Sequence, residues 1–177
     1  MVVFLIRKKE IFIIKQSANG IFLQDKNIQT IFNLGKSINA KIWIVGGAIR
    51  DFLSNKIIND IDFVTDMDMD LFLKKLSKEK IKIYQNNIQY KTISIILDNN
   101  EYQITSFRKD LITFGRQAYV SSAVSLYQDS LRRDFTVNAL YLNRKGHLID
   151  PLGGFDDIMS RELKFIGDPA LRIEEDY

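Results

Sequence analysis

Two aspartates, Asp60 and Asp62, alternate with apolar residues in the segment "NDIDFVT". Because successive side chains of a β-strand point to opposite faces, both carboxylates are expected to project from one face, with their origins roughly 6.6 Å apart. Two like charges held this close are costly unless water or a cation compensates them. This carboxylate pair, Asp60 and Asp62, is therefore either a solvated strand face or a magnesium site.

Two glycines lie earlier in the chain, between the apolar run "KIWIV" and a short segment with helical character. In this glycine turn, Gly46-Gly47, no side chain blocks the approach of an anion to backbone N–H groups at a helix start. Arg50 adds a forked positive charge that suits phosphate oxygens. Alone, the glycines indicate no more than a tight turn. With the carboxylate pair about ten residues after Arg50, they form the arrangement that phosphoryl transfer requires, a triphosphate site beside a metal site.

The elements around these residues predict a mixed sheet flanked by helices. Apolar residues recur near helical spacing in "NIQTIFNLGKSI" and "MDLFLKKLSKE", and a short helix is predicted at 48–54. Strands are predicted at "KIWIV", "DIDFVT", "IKIYQ", "KTISIIL" and "EYQITSF". Further along, "FTVNALYLN" and "HLIDP" predict a hairpin, and "DPALRIEED" predicts a helix with Asp168 as its N-cap. Near the N-terminus, weak alternation predicts a peripheral hairpin around Asn19-Gly20.

Length and composition indicate one soluble globular unit. The chain has 177 residues, of which 46% are hydrophobic, and this is enough for a single core. A net charge of +3 suits an anionic partner such as RNA but does not single it out. The absence of cysteine excludes disulfides and thiolate metal sites and favours the cytoplasm. The opening "MVVFLIRKKE" has its charges after a short apolar run, the reverse of a signal peptide, and predicts no membrane association.

Four stretches of the sequence are similar to the ordered motifs of one enzyme family. They are "WIVGGAIRDFL…NDIDFVT", "FGRQAYV", "LRRDFTVNALYLNRKGHLIDPLGGFDDI" and "FIGDPALRIEEDY". They resemble, in that order, the family's first motif, its flexible DGR-type loop, its RRDFTxNA and D-P-x-G-G segments, and the start of its EDxxR motif. The family is that of class II tRNA nucleotidyltransferases and bacterial poly(A) polymerases. The resemblance runs from Asn27 to the last residue and implies an α/β (α+β) fold of the DNA polymerase β-like type, a mixed, mostly antiparallel sheet flanked by helices.

The resemblance assigns roles to the glycine turn and to the carboxylate pair. It implies that the carboxylate pair is catalytic and binds two Mg²⁺ ions, with ATP and CTP as substrates. Gly47 and Arg50 are expected to contact the phosphates of the incoming nucleotide. Gly46 and Asp51 are expected to shape the turn that holds them.

Later motifs complete the predicted nucleotide site. The resemblance implies that Arg133 binds the nucleotide and that Asp134 and Asn138 address its ribose 2′-hydroxyl. It also implies that Asp176 supplies half of the side-chain pair that reads the base. In the alternative interpretation, Arg132 and Arg133 form a solvated helix end and Asn138 is a turn residue.

The sequence departs from the family pattern at two places. Where the family has a glutamate on a strand reading E-[IV]-T-T-[FL]-R, this chain reads "QITSFR", with Gln103 at the position of the third carboxylate. An amide oxygen can coordinate a metal ion without adding charge, so we expect weaker metal binding or slower activation of the nucleophile. Glu101 lies roughly 6.6 Å further along the same strand face and could substitute only if the strand bulges or changes register. The second departure is that the sequence ends at Tyr177, before the arginine of the EDxxR motif.

Several functional interpretations follow from these motifs. The predicted domains are an N-terminal extension at 1–26, a nucleotidyltransferase head domain at 27–154, and the truncated start of a neck at 155–177. The first interpretation is transfer of CMP or AMP from CTP or ATP to the 3′ end of RNA, most simply the CCA end of tRNA. One alternative is poly(A) synthesis. Another is a split or inactive head domain that binds nucleotide and needs a separate neck and body chain, and the last is a small-molecule nucleotidyltransferase.

Overall fold

The protein is described by a computed structural model that covers residues 3–7, 10–14, 23–77, 79, 81–114, 117–122 and 125–175. Within these ranges the strands are β1 (Val3–Arg7), β2 (Glu10–Ile14), β3 (Ile42–Val45), β4 (Asp62–Thr65), β5 (Lys82–Asn87), β6 (Thr92–Leu97), β7 (Asn100–Ser106), β8 (Arg108–Phe114), β9 (Gln117–Ser122), β10 (Tyr141–Leu142) and β11 (His147–Ile149). The α-helices are α1 (Lys26–Ser37), α2 (Gly47–Leu53), α3 (Met69–Leu76), α4 (Leu126–Leu131), α5 (Gly154–Ser160) and α6 (Pro169–Glu175). Short 3₁₀ turns occur at Ile88–Tyr90 and Thr136–Asn138.

Most of the strands belong to one mixed sheet. In the described part of the chain, nine strands pair in the order β1-β2-β11-β10-β3-β4-β7-β6-β5. The pair β4 and β7 is parallel, and the other neighbours in this sheet are antiparallel. Strands β8 and β9 form a separate antiparallel pair. The mixed, mostly antiparallel sheet predicted from the sequence is thereby confirmed.

One face of this sheet carries the main hydrophobic core. Alternate residues of the central strands point into it, including Ile44, Phe63 and Ile104, each at most 1% exposed. Helices α1, α2 and α3 cover this face with apolar residues at helical spacing: Ile28, Ile31, Phe32, Ala48, Ile49, Phe52, Met69, Phe72 and Leu76. The strand residues between the core positions therefore face the other side of the sheet.

The opposite face of the sheet carries a smaller apolar cluster. Val45, Val64, Phe107 and Tyr141 are buried in it, and helix α4 packs against it through Leu126. Asp62, the first residue of β4, precedes Val64 by two residues, so alternation along the strand places its side chain on this same face. Gln103 lies between the core residues Tyr102 and Ile104 of β7, so its side chain is on this second face too.

Strands β1 and β2 form an antiparallel hairpin near the N-terminus. Strand β2 also pairs with β11, and this joins the hairpin to the rest of the sheet. The hairpin predicted around Asn19-Gly20 lies outside the described residues and stays a prediction.

A tight loop after β11 fixes the start of α5 against the 3₁₀ turn at Thr136–Asn138. The Asp150 carboxylate accepts hydrogen bonds from the backbone N–H groups of residues 152–155, at 2.9 to 3.3 Å. A Cβ atom on Gly154 would overlap the backbone carbonyl of Thr136, closer than two such groups can approach. Glycine is therefore required here for space.

Replacing Gly154 by alanine is expected to lower the free energy of unfolding by about 3 kcal/mol or more, because the helix start must move away from the backbone that it contacts. Gly153→Ala is the matched control. Gly153 has φ of 81°, and a Cβ added there would have no atom within 4 Å, so only conformational strain of about 1 kcal/mol is expected. Urea unfolding of the two variants measures the difference, and equal losses would contradict the close contact.

Candidate functional site

The carboxylate pair lines an open cavity on the second face of the sheet. Asp62 is the first residue of β4, and Asp60 precedes the strand instead of lying on it. The prediction that both are strand residues is therefore wrong for Asp60. Both nevertheless line the same cavity of about 330 Å³, together with Ile61, Glu101 and Gln103.

Strand pairing brings the carboxylate pair next to the glycine turn. Asp62 is the cross-strand partner of Val45 in the antiparallel pair of β3 and β4. Val45 is the last residue of β3, and Gly46 follows it directly. The start of β4 and the end of β3 are thus at the same edge of the sheet, as a joint phosphate and metal site requires.

Gln103 lies beside Asp62 in the parallel pair of β4 and β7. On its other side β7 pairs with β6 in continuous register from Asn100 to Thr105. The strand therefore has no bulge there that would move Glu101 into the place of Gln103, although Glu101 lines the same cavity. Among the residues that the structure describes, no three histidine, aspartate or glutamate side chains lie close enough together to hold a metal ion.

The surrounding protein makes the ionised form of Asp62 costly. Desolvation by that protein raises the pKa of Asp62; Arg133 opposes this rise, and the neighbouring Asp60 adds a smaller increase. A divalent cation bound in the cavity would offset the cost of the desolvated charge. Carboxylate and amide oxygens are also the donors that a hard cation prefers, so the residues present fit a magnesium ion.

The glycine turn has a backbone conformation that requires glycine at its first position. Gly46 has φ of 76° and ψ of −132°, outside the regions open to other residues. Its N–H donates to the carbonyl oxygen of Leu140 at 3.2 Å, so Gly46 shapes the turn while its own N–H is already used. A Cβ on Gly46 would lie 3.7 Å from Nη1 of Arg133, and one on Gly47 would lie 3.5 Å from Nη2 of Arg50. Two guanidinium groups therefore flank the turn.

Asn138 connects the helix after the glycine turn to the RRDFTxNA segment. Arg50 donates from Nη1 to Oδ1 of Asn138 at 2.8 Å, and from Nε to Asp51 at 2.9 Å. The side-chain NH₂ of Asn138 donates to both carboxylate oxygens of Asp134, at 3.1 and 3.2 Å. The structure thus brings together four residues that the sequence assigned to one nucleotide site.

Arg133 is held by residues that the sequence interpretation did not include. Its guanidinium donates to the Tyr141 hydroxyl at 3.2 Å and to the carboxylate of Asp129 at 3.1 Å. The side chains of Arg132 and Arg133 are only 14% and 15% exposed, which excludes a solvated helix end. A signal for Asp129 was available, since it precedes the two arginines by three and four residues, the spacing that places side chains on one helix face. Tyr141 carries no comparable local signal.

The predicted base-reading residue, Asp176, lies outside the described residues. Helix α6, which leads towards it, begins as predicted at Pro169. The Asp168 side chain accepts a hydrogen bond from the Ala170 N–H at 2.8 Å, which is the predicted N-cap. The role of Asp176 stays a prediction.

The chain matches the model of a known protein family. A family model described as the poly(A) polymerase head domain matches residues 42–164. This range contains the glycine turn, the carboxylate pair, Gln103 and the RRDFTxNA segment.

Similar proteins are longer than this chain. The mitochondrial CCA tRNA nucleotidyltransferase 1 of Homo sapiens is 32% identical over 172 residues, which is 92% of this chain and 40% of the relative. The CCA-adding enzyme of Bacillus pumilus is 35% identical over 136 residues, which is 76% of this chain and 33% of the relative. The chain therefore spans two fifths or less of the length of these relatives.

A solved structure of a similar protein confirms the fold. The CCA-adding enzyme of Bacillus stearothermophilus, in complex with CTP, matches with a TM-score of 0.71 and 28% sequence identity. The match covers 83% of this chain and 34% of that protein. The DNA polymerase β-like fold predicted from the sequence is that of this neighbour.

Proposed function

The chain belongs to the poly(A) polymerase head domain family, and from this we propose that it is a nucleotidyltransferase head domain. It transfers CMP or AMP from CTP or ATP to the 3′ end of RNA, with release of pyrophosphate. The observation that carries this proposal is the pairing of Asp62 with Val45, which places the carboxylate pair beside the glycine turn. Two arginines flank that turn and supply the positive charge that a triphosphate needs.

Each part of the site has a role in this reaction. The glycine turn lets the triphosphate approach the backbone, and Arg50 and Arg133 donate to its oxygens. Asp134 and Asn138 address the ribose 2′-hydroxyl, with Asn138 oriented by its hydrogen bond from Arg50. The carboxylate pair and the Gln103 amide oxygen would hold Mg²⁺. Metal bound there would supply Lewis-acid chemistry, which would activate the attacking 3′-hydroxyl and offset the charge that develops on pyrophosphate.

The proposed RNA substrate is the 3′ end of tRNA, where the reaction adds CCA. Support comes from the names of similar proteins, which include a CCA tRNA nucleotidyltransferase and a CCA-adding enzyme. Poly(A) synthesis is the second candidate, because the matching family model carries the description of a poly(A) polymerase head domain.

We also propose a division of the chain into three parts and a requirement for further domains that hold the RNA. We place an N-terminal extension at 1–26, the head domain at 27–154 and the start of the neck at 155–177. The pairing of β2 with β11 joins the extension to the head-domain sheet. Because the chain spans 40% or less of the relatives named above, we propose that a neck and body, in the same or a separate chain, hold the RNA.

The segment that we place at the start of the neck exposes apolar side chains, and these support a docking role for it. Four large apolar side chains between 159 and 173 are 46% to 64% exposed: Met159, Leu163, Leu171 and Ile173.

None of the helices in the described part of the chain has both the length and the apolar character needed to cross a membrane. The cytoplasmic location stays a proposal, since similar proteins include a mitochondrial enzyme.

Calorimetric titration with CTP tests the proposed nucleotide site. We expect binding in the presence of Mg²⁺ and at least tenfold weaker binding after its removal with EDTA, because the metal offsets the repulsion between the carboxylate pair and the triphosphate. CMP is the matched ligand control. It lacks the β- and γ-phosphates, so its affinity should depend far less on Mg²⁺. CTP binding that is absent, or unaffected by Mg²⁺, would contradict the proposal.

A further inference from the structure

A fully buried carboxylate contacts Arg133, one of the two arginines that flank the glycine turn. Asp129, on helix α4, is 0% exposed. One of its oxygens accepts from Arg132 at 2.9 Å, and the other accepts from Arg133 at 3.1 Å and from the Tyr141 hydroxyl at 2.9 Å. The two arginines thus occupy different oxygens of one carboxylate.

The charges of Asp129, Arg132 and Arg133 do not cancel, and the cluster keeps a net positive charge. Burial alone would raise the pKa of Asp129, but Arg132 and Arg133 outweigh that effect, so the pKa is lowered and the carboxylate is ionised. One negative and two positive charges leave the cluster with one net positive charge. With a single arginine the cluster would be neutral. The second arginine therefore allows Asp129 to orient Arg133 without cancelling its charge.

The hydrogen bonds of Arg133 fix the plane of its guanidinium group. Nε donates to the Tyr141 hydroxyl, Nη2 to Asp129, and Nη1 to the backbone oxygen of Asn138 at 3.5 Å. A guanidinium has five N–H donors, so one on each η nitrogen can still donate to a ligand. Nη1 lies 3.7 Å from the position that a Cβ on Gly46 would take. The group is therefore aimed at the glycine turn.

We propose that Asp129 is a positioning residue for the nucleotide site, which acts through its carboxylate and through Tyr141 to aim Arg133 at the triphosphate. Asp129 itself does not touch the nucleotide, because it is fully buried and both of its carboxylate oxygens accept from protein donors. The inference rests on the proposed function, since it requires that the site binds a nucleoside triphosphate. It adds a buried second layer, Asp129 and Tyr141, to the residues that contact the ligand.

Asp129→Asn tests this inference because it keeps the size of the side chain and removes its charge. We expect CTP and inorganic tripolyphosphate, each with Mg²⁺, to bind about tenfold more weakly, since a charge-assisted hydrogen bond that orients Arg133 is lost. The two ligands should weaken by the same factor, because the effect is on the phosphates. Isothermal titration calorimetry gives both dissociation constants.

Arg132→Lys is the matched control, since it disturbs the same carboxylate through the other arginine and keeps the net charge. It should lower the melting temperature while the dissociation constant for CTP stays within about twofold of wild type. Tyr141→Phe provides a second test if Asp129→Asn does not fold. It removes the hydroxyl that joins Asp129 to Arg133, and CTP binding should weaken roughly threefold.

The outcomes separate this inference from the proposed function. Wild-type protein that binds no CTP overturns both. CTP binding that is normal in the wild type and unchanged in Asp129→Asn, or in Tyr141→Phe where only that variant folds, overturns the positioning role alone. An equal loss of CTP affinity in Arg132→Lys and Asp129→Asn also overturns it, because that result would show general damage to the buried cluster.

Discussion

Replacing Asp62 by asparagine is expected to remove the Mg²⁺-dependent part of CTP binding. Asp62 is the member of the carboxylate pair that is on β4, beside the glycine turn and next to Gln103. Loss of a residue that merely orients a metal ligand typically costs 10- to 100-fold in affinity, so loss of a ligand should cost about a hundredfold or more. The affinity for CTP in the presence of Mg²⁺ should fall to that measured with EDTA. Calorimetry under the two conditions measures this change.

Asp66→Asn is the control for the loss of Asp62. Asp66 follows the other end of the same strand, where its carboxylate accepts a hydrogen bond from the Lys41 N–H at 2.8 Å. The variant therefore makes the same change of charge away from the cavity, and its Mg²⁺ dependence should match the wild type. If both variants lose the dependence, net charge and not metal coordination explains the effect.

Without metal, replacing Asp62 by asparagine is not expected to destabilise the protein, although it weakens binding of CTP. Desolvation raises the pKa of Asp62 by more than Arg133 lowers it, and Asp60 raises it further, so the ionised form is disfavoured in the folded protein. Asparagine removes this desolvated charge, and metal-free protein at neutral pH should be unchanged or slightly more stable. A variant that binds metal poorly and yet melts no earlier than the wild type would show that Asp62 serves function and not folding.

Local spacing explains why the main site residues were predictable from the sequence. The carboxylate pair follows from alternation near a strand, and the glycine turn from two residues that free the backbone between a strand and a helix. Both features depend on only a few neighbouring positions. The start of β4 at Asp62 was not predictable at that accuracy, because the end of a strand depends on where its neighbours stop pairing.

Long-range contacts explain what the sequence did not predict. Tyr141 reaches Asp129 because β10 turns that side chain to the face on which helix α4 packs, and this depends on the order of strands in the sheet. The side-by-side position of Gln103 and Asp62 likewise depends on the parallel register of β4 and β7. The pairing of β2 with β11 depends in the same way on which strand edge the fold makes available.

Gln103→Glu is expected to strengthen metal binding. Gln103 is the in-register neighbour of Asp62, so a glutamate there would add a negative charge beside Asp62, in a cavity that Glu101 and the carboxylate pair already line. At roughly 4 Å, one added charge contributes about 1 to 4 kcal/mol of attraction per unit charge on the ion. After the cost of repulsion between the carboxylates, we expect Mn²⁺ or Mg²⁺ to bind about tenfold more tightly. Direct titration with Mn²⁺, followed by electron paramagnetic resonance, measures this affinity without any need for RNA.

Gln103→Glu should lower the stability of the protein without metal and raise it when metal is added. Without metal, the added carboxylate increases the repulsion in the cavity, so the melting temperature should fall below that of the wild type. With saturating Mg²⁺ it should rise above it, because the ion binds only the folded form. Glu101→Gln decides whether Glu101 already supplies the missing charge from its position two residues along β7. If that variant loses metal affinity and Gln103→Glu gains none, Glu101 is the third ligand, and the glutamine at position 103 has no cost for this protein.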